Sequence, residues 1–351
     1  MDKVLSIVIP SYNVERFLRQ TLDSFQTESI LPEIEVLIID DGSSDNTAAI
    51  GKEYETKHPD SFRVISKENG GHGSTINRGI EECQGRYFKV VDGDDWVNTP
   101  DLIKLVENLR ECHADYVVTN YCEVDDRTGK ENPVELTGLK ELPYYSETEG
   151  KTGEIPFSEI VGKAQIPMHA LVIRSEILKR EHIRLDEHRF YVDVEYILYP
   201  VPFVKTVVYY DLCVYMYRLA QTTQSVSMQG YQKHIQDHID VIMHLAEFAD
   251  GYAKQADGES EKVLYINRRI AEMVGEQISI FMSYPADDKE IKKRFIGFER
   301  TLKEKNPEIY RLSGDESGTL RLLRVTRFAG YKTIMRMGQK RNHIEGMEQK
   351  R

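Results

Sequence analysis

Three carboxylates stand within four positions at Asp92, Asp94 and Asp95, directly after the apolar run Phe88–Val91. The run predicts a buried strand, and acids this close together repel one another unless a cation neutralises them. Mg²⁺ and Mn²⁺ prefer oxygen ligands and accept a phosphate as a further ligand. The cluster therefore predicts a site for one of these ions, and the alternative is a solvated acidic turn.

Five apolar segments alternate with segments of helical spacing and must position this cluster. The predicted strands are 4–10, 34–39, 62–66, 88–91 and 116–121. Asp45 is predicted to cap the helix that runs towards His58, and Pro100 suits the first turn of another helix. This β-α alternation predicts an α/β protein with a doubly wound, parallel sheet.

Polar loops follow the predicted strands, and ligands of such sheets bind at the carboxyl ends of the strands. These loops are Ser11–Asn13, Asp40–Asp41 and the acidic segment 92–95, with a glycine-rich loop at Gly70–Gly73 on the same side. Tyr12 can stack on a base, and glycine amides suit phosphate. The chain lacks the G-x-G-x-x-G pattern of NAD enzymes and the lysine of P-loop NTPases, which counts against both classes.

Five segments resemble the family 2 glycosyltransferases, in the order and spacing of that family over about the first 120 residues. They are Ser6–Asn13, Ile38–Asp45, Glu68–Gly71, Asn77–Ile80 and Asp92–Trp96. The resemblance implies the GT-A fold, a doubly wound mixed sheet. It also implies a nucleotide-diphospho-sugar donor, usually UDP-linked, and Mn²⁺ or Mg²⁺ as cofactor.

The resemblance further implies which residues form the site. Asp92 and Asp94 form the metal-binding pair, in which Asp94 is the main ligand and Asp92 faces either the ribose or the metal. The residues expected at the donor are Pro10, Tyr12, Asp40, Asp41, Asn69, Gly70, Asn77, Asp92 and Arg218. One departure from the family pattern is the segment 71–76, where Ile76 replaces a common arginine, so we expect a donor pocket of different shape.

Asp193 is the predicted catalytic base. It opens an apolar helix, where desolvation raises a carboxyl pKa as a general base requires, and the resemblance places the family's base here. Val192 stands where the family commonly has glutamate. The alternative is that Asp193 only caps the helix. Glu195 is the reserve candidate, and His169 is a weaker candidate for acceptor contact.

The segments 207–210 and 214–218 predict a pair of strands, and 123–157 reads as a hairpin or loop. Arg218 follows in a segment that resembles the part of similar enzymes that closes over the donor, so it is expected to contact the diphosphate. The alternative for Arg218 is a surface position on an edge strand.

From residue 229 onward the spacing is helical. We therefore predict a catalytic domain at 1–228, with a nucleotide-binding half at 1–122 and an acceptor half at 123–228, and a helical domain at 229–351. The tail 319–351 contains nine Lys/Arg and two Glu, interleaved with apolar residues. This composition suits an anionic membrane surface, and the alternatives are a solvated tail or a subunit contact, including a homo-oligomer.

The overall composition of the chain bears on its partners, its cysteines and its location. The 351 residues carry a net charge of −12, which argues against nucleic acid as a partner. Four widely spaced cysteines and the lack of a signal-like start or long apolar run predict free thiols and a cytoplasmic protein, with peripheral contact at the inner face of the membrane as a second expectation.

Together these features predict an inverting, metal-dependent glycosyltransferase. We expect it to move a UDP-hexose or UDP-N-acetylhexosamine sugar to a hydroxyl of a saccharide or glycolipid in bacterial surface polysaccharide synthesis. Two alternatives stay open: a nucleotidyltransferase, whose basic signature is missing from Ser11–Asn13, and a non-catalytic nucleotide-sugar-binding partner of an active transferase.

Overall fold

The structure is a computed structural model that describes residues 3–219, 228–256 and 260–341. The chain divides into two compact units, 1–221 and 222–351. The sequence places this boundary slightly later, at residue 228. The first unit contains the sheet and the acidic segment, and the second is helical.

The strands of the first unit fall into a single sheet with short additions at its edges. They are β1 Leu5–Ser11, β2 Ile34–Asp40, β3 Phe62–Ser66, β4 Tyr87–Val90, β5 Trp96–Val97, β6 Tyr116–Asp125, β7 Glu131–Val134, β8 Tyr145–Ser146, β9 Lys151–Thr152, β10 Ile155–Pro156, β11 Leu171–Arg174 and β12 Thr206–Leu219. The spatial order is β3-β2-β1-β4-β11-β6-β12-β9-β8.

The strand directions make this a mixed sheet. Strand β1 pairs in parallel with both β2 and β4, and β2 pairs in parallel with β3. Strand β11 then runs antiparallel to β4 and β6. The central strands β1 and β2 are buried along their whole length, as expected for parallel strands covered on both faces. The predicted parallel alternation therefore holds for the first four strands, and the mixed sheet agrees with the resemblance.

The helices of the first unit are α1 Glu15–Asp23, α2 Thr47–Lys57, α3 His72–Glu82, α4 Thr99–Glu111, α5 Thr137–Lys140, α6 Ser175–Arg180 and α7 Asp193–Leu198. Helix α4 begins as predicted, with Pro100 in its first turn, and Asn98 caps it by accepting from the Asp101 amide at 3.2 Å. Asp45 accepts from the Thr47 amide at 2.9 Å, at the start of α2.

The predicted pair of strands at 207–210 and 214–218 is wrong, because both segments belong to the single strand β12. The pairing with β6 shifts register between Tyr209 and Cys213 and again before Tyr215. Asp211 interrupts the apolar pattern and suggests a turn, but its carboxylate accepts from Asn120 at 2.7 Å and Tyr145 at 3.0 Å. A bulge with satisfied polar groups therefore replaces the turn.

Residues 123–157 form short paired elements. Strands β6 and β7 pair as an antiparallel hairpin, and β8 pairs with β9. The hairpin interpretation of this segment is therefore confirmed for β6 and β7.

The second unit is helical in all its described parts. Its helices are α8 Met228–Lys233, α9 Ile235–Gln255, α10 Ser260–Met282, α11 Lys289–Lys305, α12 Pro307–Glu316, α13 Gly318–Val325 and α14 Tyr331–Arg341. Stacked rings of Phe281 and Phe295, with centroids 4.5 Å apart, join α10 to α11 in its core. Among the described helices of the chain, none combines the length and the apolar character that a membrane crossing requires.

Candidate active site

Three polar strand ends meet at one edge of the sheet, as predicted. Ser11 and Asp40 are register partners at the ends of β1 and β2. Val90 of β4 pairs with Val8 of β1, so the acidic residues that follow β4 emerge beside them. We call residues 92–95 the acidic turn. The Asp95 amide closes it by donating to the Asp92 carbonyl at 3.0 Å.

Asp95 holds the acidic turn in place. Its side chain is buried, accepting from the Tyr215 hydroxyl at 2.6 Å and from the Arg218 amide at 2.7 Å. Burial raises the pKa of Asp95 well above its ordinary value, and the nearby carboxylates of Asp94 and Asp92 raise it further. Both oxygens are thus committed to the protein, and Asp95 is a structural residue.

Asp94 differs from Asp95 because its carboxylate makes no hydrogen bond or ion pair with another residue in the described part of the chain. Its backbone carbonyl is fixed by the Arg218 side chain, whose Nε donates at 2.6 Å. Burial, and then the charge of Asp92, raise the pKa of Asp94 to about 6. A half-buried, crowded carboxylate of this kind is available to a cation.

Asp92 is held between two side chains. Its Oδ1 lies 2.8 Å from Nε2 of His72, and its amide donates to the Tyr215 hydroxyl at 3.2 Å. Burial opposes ionisation of Asp92, but the charge and hydrogen bond of His72 lower its pKa overall. The pKa of His72 is raised in turn, because attraction to Asp92 outweighs the opposing effect of burial. Both shifts favour a protonated imidazole beside an ionised carboxylate.

These observations test whether a divalent cation fits. Ligand atoms of Asp92, Asp95 and His169 lie within 4.8 Å of one another, but both Asp95 oxygens are already engaged. Asp92 and Asp94 offer the oxygen donors that Mg²⁺ and Mn²⁺ prefer, but Oδ1 of Asp92 already contacts His72, and Asp94 is not among the three residues whose ligand atoms lie this close together. The donor chemistry of the pair suits a cation of this class, its role as the metal-binding pair stays a prediction, and a neutral imidazole at His169 suits Mn²⁺ as a further ligand.

His169 lies in a cage of tyrosines. Its ring stacks on Tyr217 at a centroid distance of 4.3 Å and meets the edge of Tyr215 at 4.7 Å. Tyr121 is the third ring, at 5.3 Å. Burial lowers the pKa of His169 to about 4, so its imidazole is neutral. The cage fixes the ring beside the acidic turn.

Lys89 stabilises the turn that carries His169 through a hydrogen bond. It is fully buried on β4, and its Nζ donates to the His169 carbonyl at 2.7 Å. Burial lowers the pKa of Lys89 to about 7. A buried lysine of this kind stabilises the 3-10 turn Met168–Ala170 that carries His169.

Asp41 organises the glycine-rich loop. Its buried carboxylate accepts from the Gly70 amide at 2.9 Å and the Gly71 amide at 2.8 Å, and it pairs with Lys67 at 2.8 Å. Gly71 has φ +82°, a conformation that side chains rarely adopt. Asp41 and Gly70 thus shape the loop at the start of α3, and their predicted contact with the nucleoside stays a prediction.

The remaining predicted donor residues lie around the same edge. Asp40 is buried and accepts from the Ser43 amide at 3.1 Å, which shapes the loop after β2. The Pro10 carbonyl accepts from Gly93 at 3.1 Å, which ties β1 to the acidic turn. Tyr12 is 53% exposed and Asn69 is exposed, so both side chains are accessible to a ligand at this edge.

The Asn77 side chain connects helix α3 to the backbone of the segment before α7. It is buried in α3, where it donates to the Leu185 carbonyl at 2.9 Å and accepts from the Leu185 amide at 2.8 Å. The segment it anchors runs on to α7, and its donor contact stays a prediction. Glu195 is fully buried and accepts from the Asp186 amide at 2.7 Å. Both residues therefore position the chain that leads to Asp193.

Asp193 is the first residue of α7 and is half-buried. Burial is the main cause of the raised pKa of Tyr217, and the carboxylates of Asp95, Asp92, Asp193 and Asp94 add to it. The carboxylates of Asp92, Asp193 and Asp94 also raise the pKa of His72 against the opposing effect of burial. A Cβ at Gly73 of α3 would lie 3.3 Å from Val192, and the neighbouring His72 contacts Asp92, so α7 begins close to the acidic turn.

Arg218 is buried rather than placed on the surface of an edge strand. Its guanidinium lies 4.6 Å from the Trp96 ring centre and donates to Gln20 at 2.8 Å, and it pairs with Asp126. Together with its bond to the Asp94 carbonyl, these contacts make Arg218 a support of the acidic turn. Its predicted contact with the diphosphate stays a prediction.

Several residues of the site were missed from the sequence. Tyr215 and Tyr217 alternate along β12 and so share one face, a spacing that signals a common surface. Lys89 interrupts an apolar run, which signals a buried lysine with a specific partner. The pairing of His72 with Asp92 joins two segments and has no signal in the sequence.

The geometry agrees with comparisons to known proteins. The sequence profile of the family described as Glycosyl transferase family 2 matches residues 6–167. EpsH of Bacillus subtilis (strain 168), named as a glycosyltransferase, is 28% identical over 238 residues, which cover 66% of this chain and 64% of EpsH. EpsJ of the same organism, named as an uncharacterized glycosyltransferase, is 26% identical over 298 residues, 84% of this chain and 83% of EpsJ.

A solved structure shows the same fold. The crystal structure of S. aureus TarS 1–349 in complex with UDP-GlcNAc superimposes with a TM-score of 0.61 at 16% identity, over 97% of this chain and 92% of that one. The predicted GT-A fold is therefore confirmed. Residues 6–167 of this chain thus resemble a domain of the family 2 glycosyltransferases.

Proposed function

We propose that this chain is an inverting glycosyltransferase that moves a sugar from a nucleotide-diphospho-sugar to an acceptor hydroxyl. The observation that carries the proposal is the position of the start of α7 beside α3: a Cβ at Gly73 would lie 3.3 Å from Val192, the residue before Asp193, and the neighbouring His72 contacts Asp92 at 2.8 Å. TarS, which shares the fold, was crystallised with UDP-GlcNAc and with UDP, and this supports a UDP-linked donor, either a hexose or an N-acetylhexosamine.

The reaction requires one proton transfer and one displacement. The acceptor oxygen attacks the anomeric carbon from the face opposite the diphosphate, the bond to the diphosphate breaks, and the nucleoside diphosphate leaves with the electron pair. Asp193 accepts the acceptor's hydroxyl proton. The transition state has oxocarbenium character, as in glycoside chemistry generally.

The other residues bind and orient the donor. Tyr12 and Asn69 are exposed beside the strand ends and are proposed to contact the nucleoside, while the loop anchored by Asp41 presents the start of α3 towards phosphate. Asp94 and Asp92 would hold Mn²⁺ or Mg²⁺, which when bound supplies Lewis-acid stabilisation of the leaving diphosphate.

The acceptor is proposed to be a saccharide or glycolipid, in agreement with a role in bacterial surface polysaccharide synthesis. His169 remains a candidate for acceptor contact because its caged ring lies beside the acidic turn. Glu195 is buried, which favours its structural role over contact with the acceptor. The predicted homo-oligomer stays a prediction that light scattering can test.

The purified chain should be screened against UDP-, GDP- and dTDP-sugars with Mn²⁺ or Mg²⁺, with release of nucleoside diphosphate as the readout. We expect turnover of one UDP-sugar above the level of an Asp193→Asn variant, and more turnover when oligosaccharide acceptors are added. Saturable donor binding without turnover against any acceptor would instead favour the non-catalytic partner. Absence of donor binding would contradict both functions.

A further inference from the structure

Helices α13 and α14 are the most basic part of the described chain. Residues 318–341 contain seven Lys/Arg and no Asp/Glu, in a protein with a net charge of −12. The two helices contact each other, since a Cβ at Gly338 of α14 would meet the side chain of Thr319 of α13. We call residues 318–341 the basic helical pair.

One side of the basic helical pair packs into the helical unit. Its buried residues are Leu320, Leu323, Tyr331, Ile334 and Met335. The Phe328 ring meets the Phe295 ring edge-on at 5.4 Å, and Gln339 donates to the Met282 carbonyl at 2.8 Å. The pair is therefore a folded part of this unit, and its removal would expose apolar core.

The other side presents apolar side chains to solvent. Val325 is 77% exposed, Met337 is 52% exposed and Leu322 is 41% exposed. Single exposed apolar residues are ordinary on protein surfaces, but these three belong to two adjacent helices. Leu322 and Val325 are three positions apart on α13 and so share a helical face.

The basic helical pair carries seven cations. Arg321, Arg324 and Lys332 are paired with Asp315, Glu299 and Asp287. Within residues 3–219, 228–256 and 260–341, no ion pair is formed by the remaining four cations, which are Arg327, Arg336, Lys340 and Arg341. All four are exposed, so their charges are available to an external partner.

We propose that the basic helical pair docks on an anionic lipid bilayer. Exposed cations are attracted to anionic headgroups, and exposed apolar side chains of the same helical pair can enter the boundary of the acyl chains. A nucleic acid would use the cations but would gain little from Val325 and Met337. The combination of both features on one folded surface therefore favours lipid. This inference does not depend on the proposed transfer reaction.

The test uses the full chain in flotation assays with vesicles of phosphatidylcholine alone or with 30% phosphatidylglycerol. One variant removes charge and carries Arg327→Gln, Arg336→Gln and Lys340→Gln, and the other carries Val325→Ser and Met337→Ser. We expect the native chain to bind only the anionic vesicles and to dissociate as salt rises. The charge variant should bind about a hundredfold more weakly, at about fivefold per cation, and the apolar variant should also bind more weakly.

A matched control removes three exposed lysines of the sheet unit: Lys130→Gln, Lys163→Gln and Lys205→Gln. It changes the net charge equally and should bind like the native chain. Circular dichroism must show unchanged helix content for each variant. The proposal is overturned if the native chain does not bind anionic vesicles, or if the charge variant and this control bind them equally. An apolar variant that binds as well as the native chain would also overturn it, in favour of a purely electrostatic partner such as nucleic acid.

Discussion

Nε2 of His72, at the start of helix α3, lies 2.8 Å from Oδ1 of Asp92 in the acidic turn after strand β4. This contact links the glycine-rich loop to the proposed metal site, so it connects two parts of the proposed donor site. It also falls within the segment 71–76 that departs from the family pattern. The departure therefore has a structural consequence, because it supplies Asp92 with a hydrogen-bond partner.

Replacing His72 should leave the Asp92 side chain less well oriented and so weaken metal binding. His72→Ala removes the hydrogen bond that orients Asp92, and hydrogen-bonding partners of metal ligands typically change metal affinity by 10–100-fold. We expect Mn²⁺ to bind about 10–100-fold more weakly by titration calorimetry, and His72→Gln to restore part of the loss because its amide can donate to Asp92. The exposed His113→Ala is the control. Unchanged Mn²⁺ affinity in His72→Ala would show that the pair is not part of the site.

Asp94→Asn should remove the one carboxylate of the acidic turn that makes no hydrogen bond or ion pair with another described residue. Loss of a metal ligand is expected to lower kcat on the order of a thousandfold, equivalent to several kcal/mol of transition-state stabilisation. It should also abolish the rise in melting temperature that Mn²⁺ produces in the native chain. The exposed Asp60→Asn is the matched control.

Without metal the same substitution should not destabilise the fold. The pKa of Asp94 is raised above its ordinary value, so its ionised form destabilises the folded state above about pH 6. In chelator at pH 7.5, we therefore expect Asp94→Asn to melt at the same temperature as the native chain or higher. A large fall in melting temperature would assign Asp94 a structural role.

Asp193→Asn should slow transfer far more than it weakens donor binding. Asparagine keeps the shape of the side chain but cannot accept the proton, and removal of a general base typically lowers the rate ~10²–10⁴-fold. An effect confined to kcat marks a transition-state role. The measurements are kcat, UDP affinity and melting temperature. If Asp193 only caps α7, asparagine would cap equally well and leave all three nearly unchanged.

Lys89→Met should make stability less dependent on pH. Burial lowers the pKa of Lys89 to about 7, so between pH 7 and about 10 the folded state binds fewer protons than the unfolded state. Stability therefore rises with pH over this window, by at most about 1.4 kcal/mol per pH unit for one group. Methionine does not titrate, so the Lys89→Met variant lacks this contribution to the pH dependence of stability.

Chemical denaturation at pH 7, 8.5 and 10 checks this expectation. The difference in free energy of unfolding between Lys89→Met and the native chain should change in favour of the native chain as pH rises. The exposed Lys163→Met should follow the native curve. Parallel curves for Lys89→Met and the native chain would show that Lys89 titrates normally.

Much of the fold was predictable because the strands of the nucleotide-binding half are continuous apolar runs that end in polar loops. Ser11, Asp40 and Asp92 come together simply because parallel neighbours end at one edge. Strand β12 was not predictable in this way. Asp211 looks like a turn residue until its partners Asn120 and Tyr145 are known.

The candidate site was predictable in its residue types but less so in its contacts. Asp41, Asn77 and Arg218 were expected to face the donor, and in the structure they first hold Gly70, Leu185 and the Asp94 carbonyl. Each of these contacts joins residues far apart in the chain. Local pattern cannot reveal them, because it reports which side chains are polar and not which distant groups they satisfy.

The contacts of Arg218 also bear on how the domain folds. The guanidinium joins the acidic turn to Gln20, a partner 198 positions away in the chain. Contacts of such long sequence separation form late, because the loop they close is entropically expensive. We therefore expect the acidic turn to reach its final geometry only after strand β12 has been synthesised and added to the sheet. Residues 1–122 contain nearly every predicted donor contact and leave the ribosome first. The site they form would nevertheless stay incomplete until β12 joins the sheet.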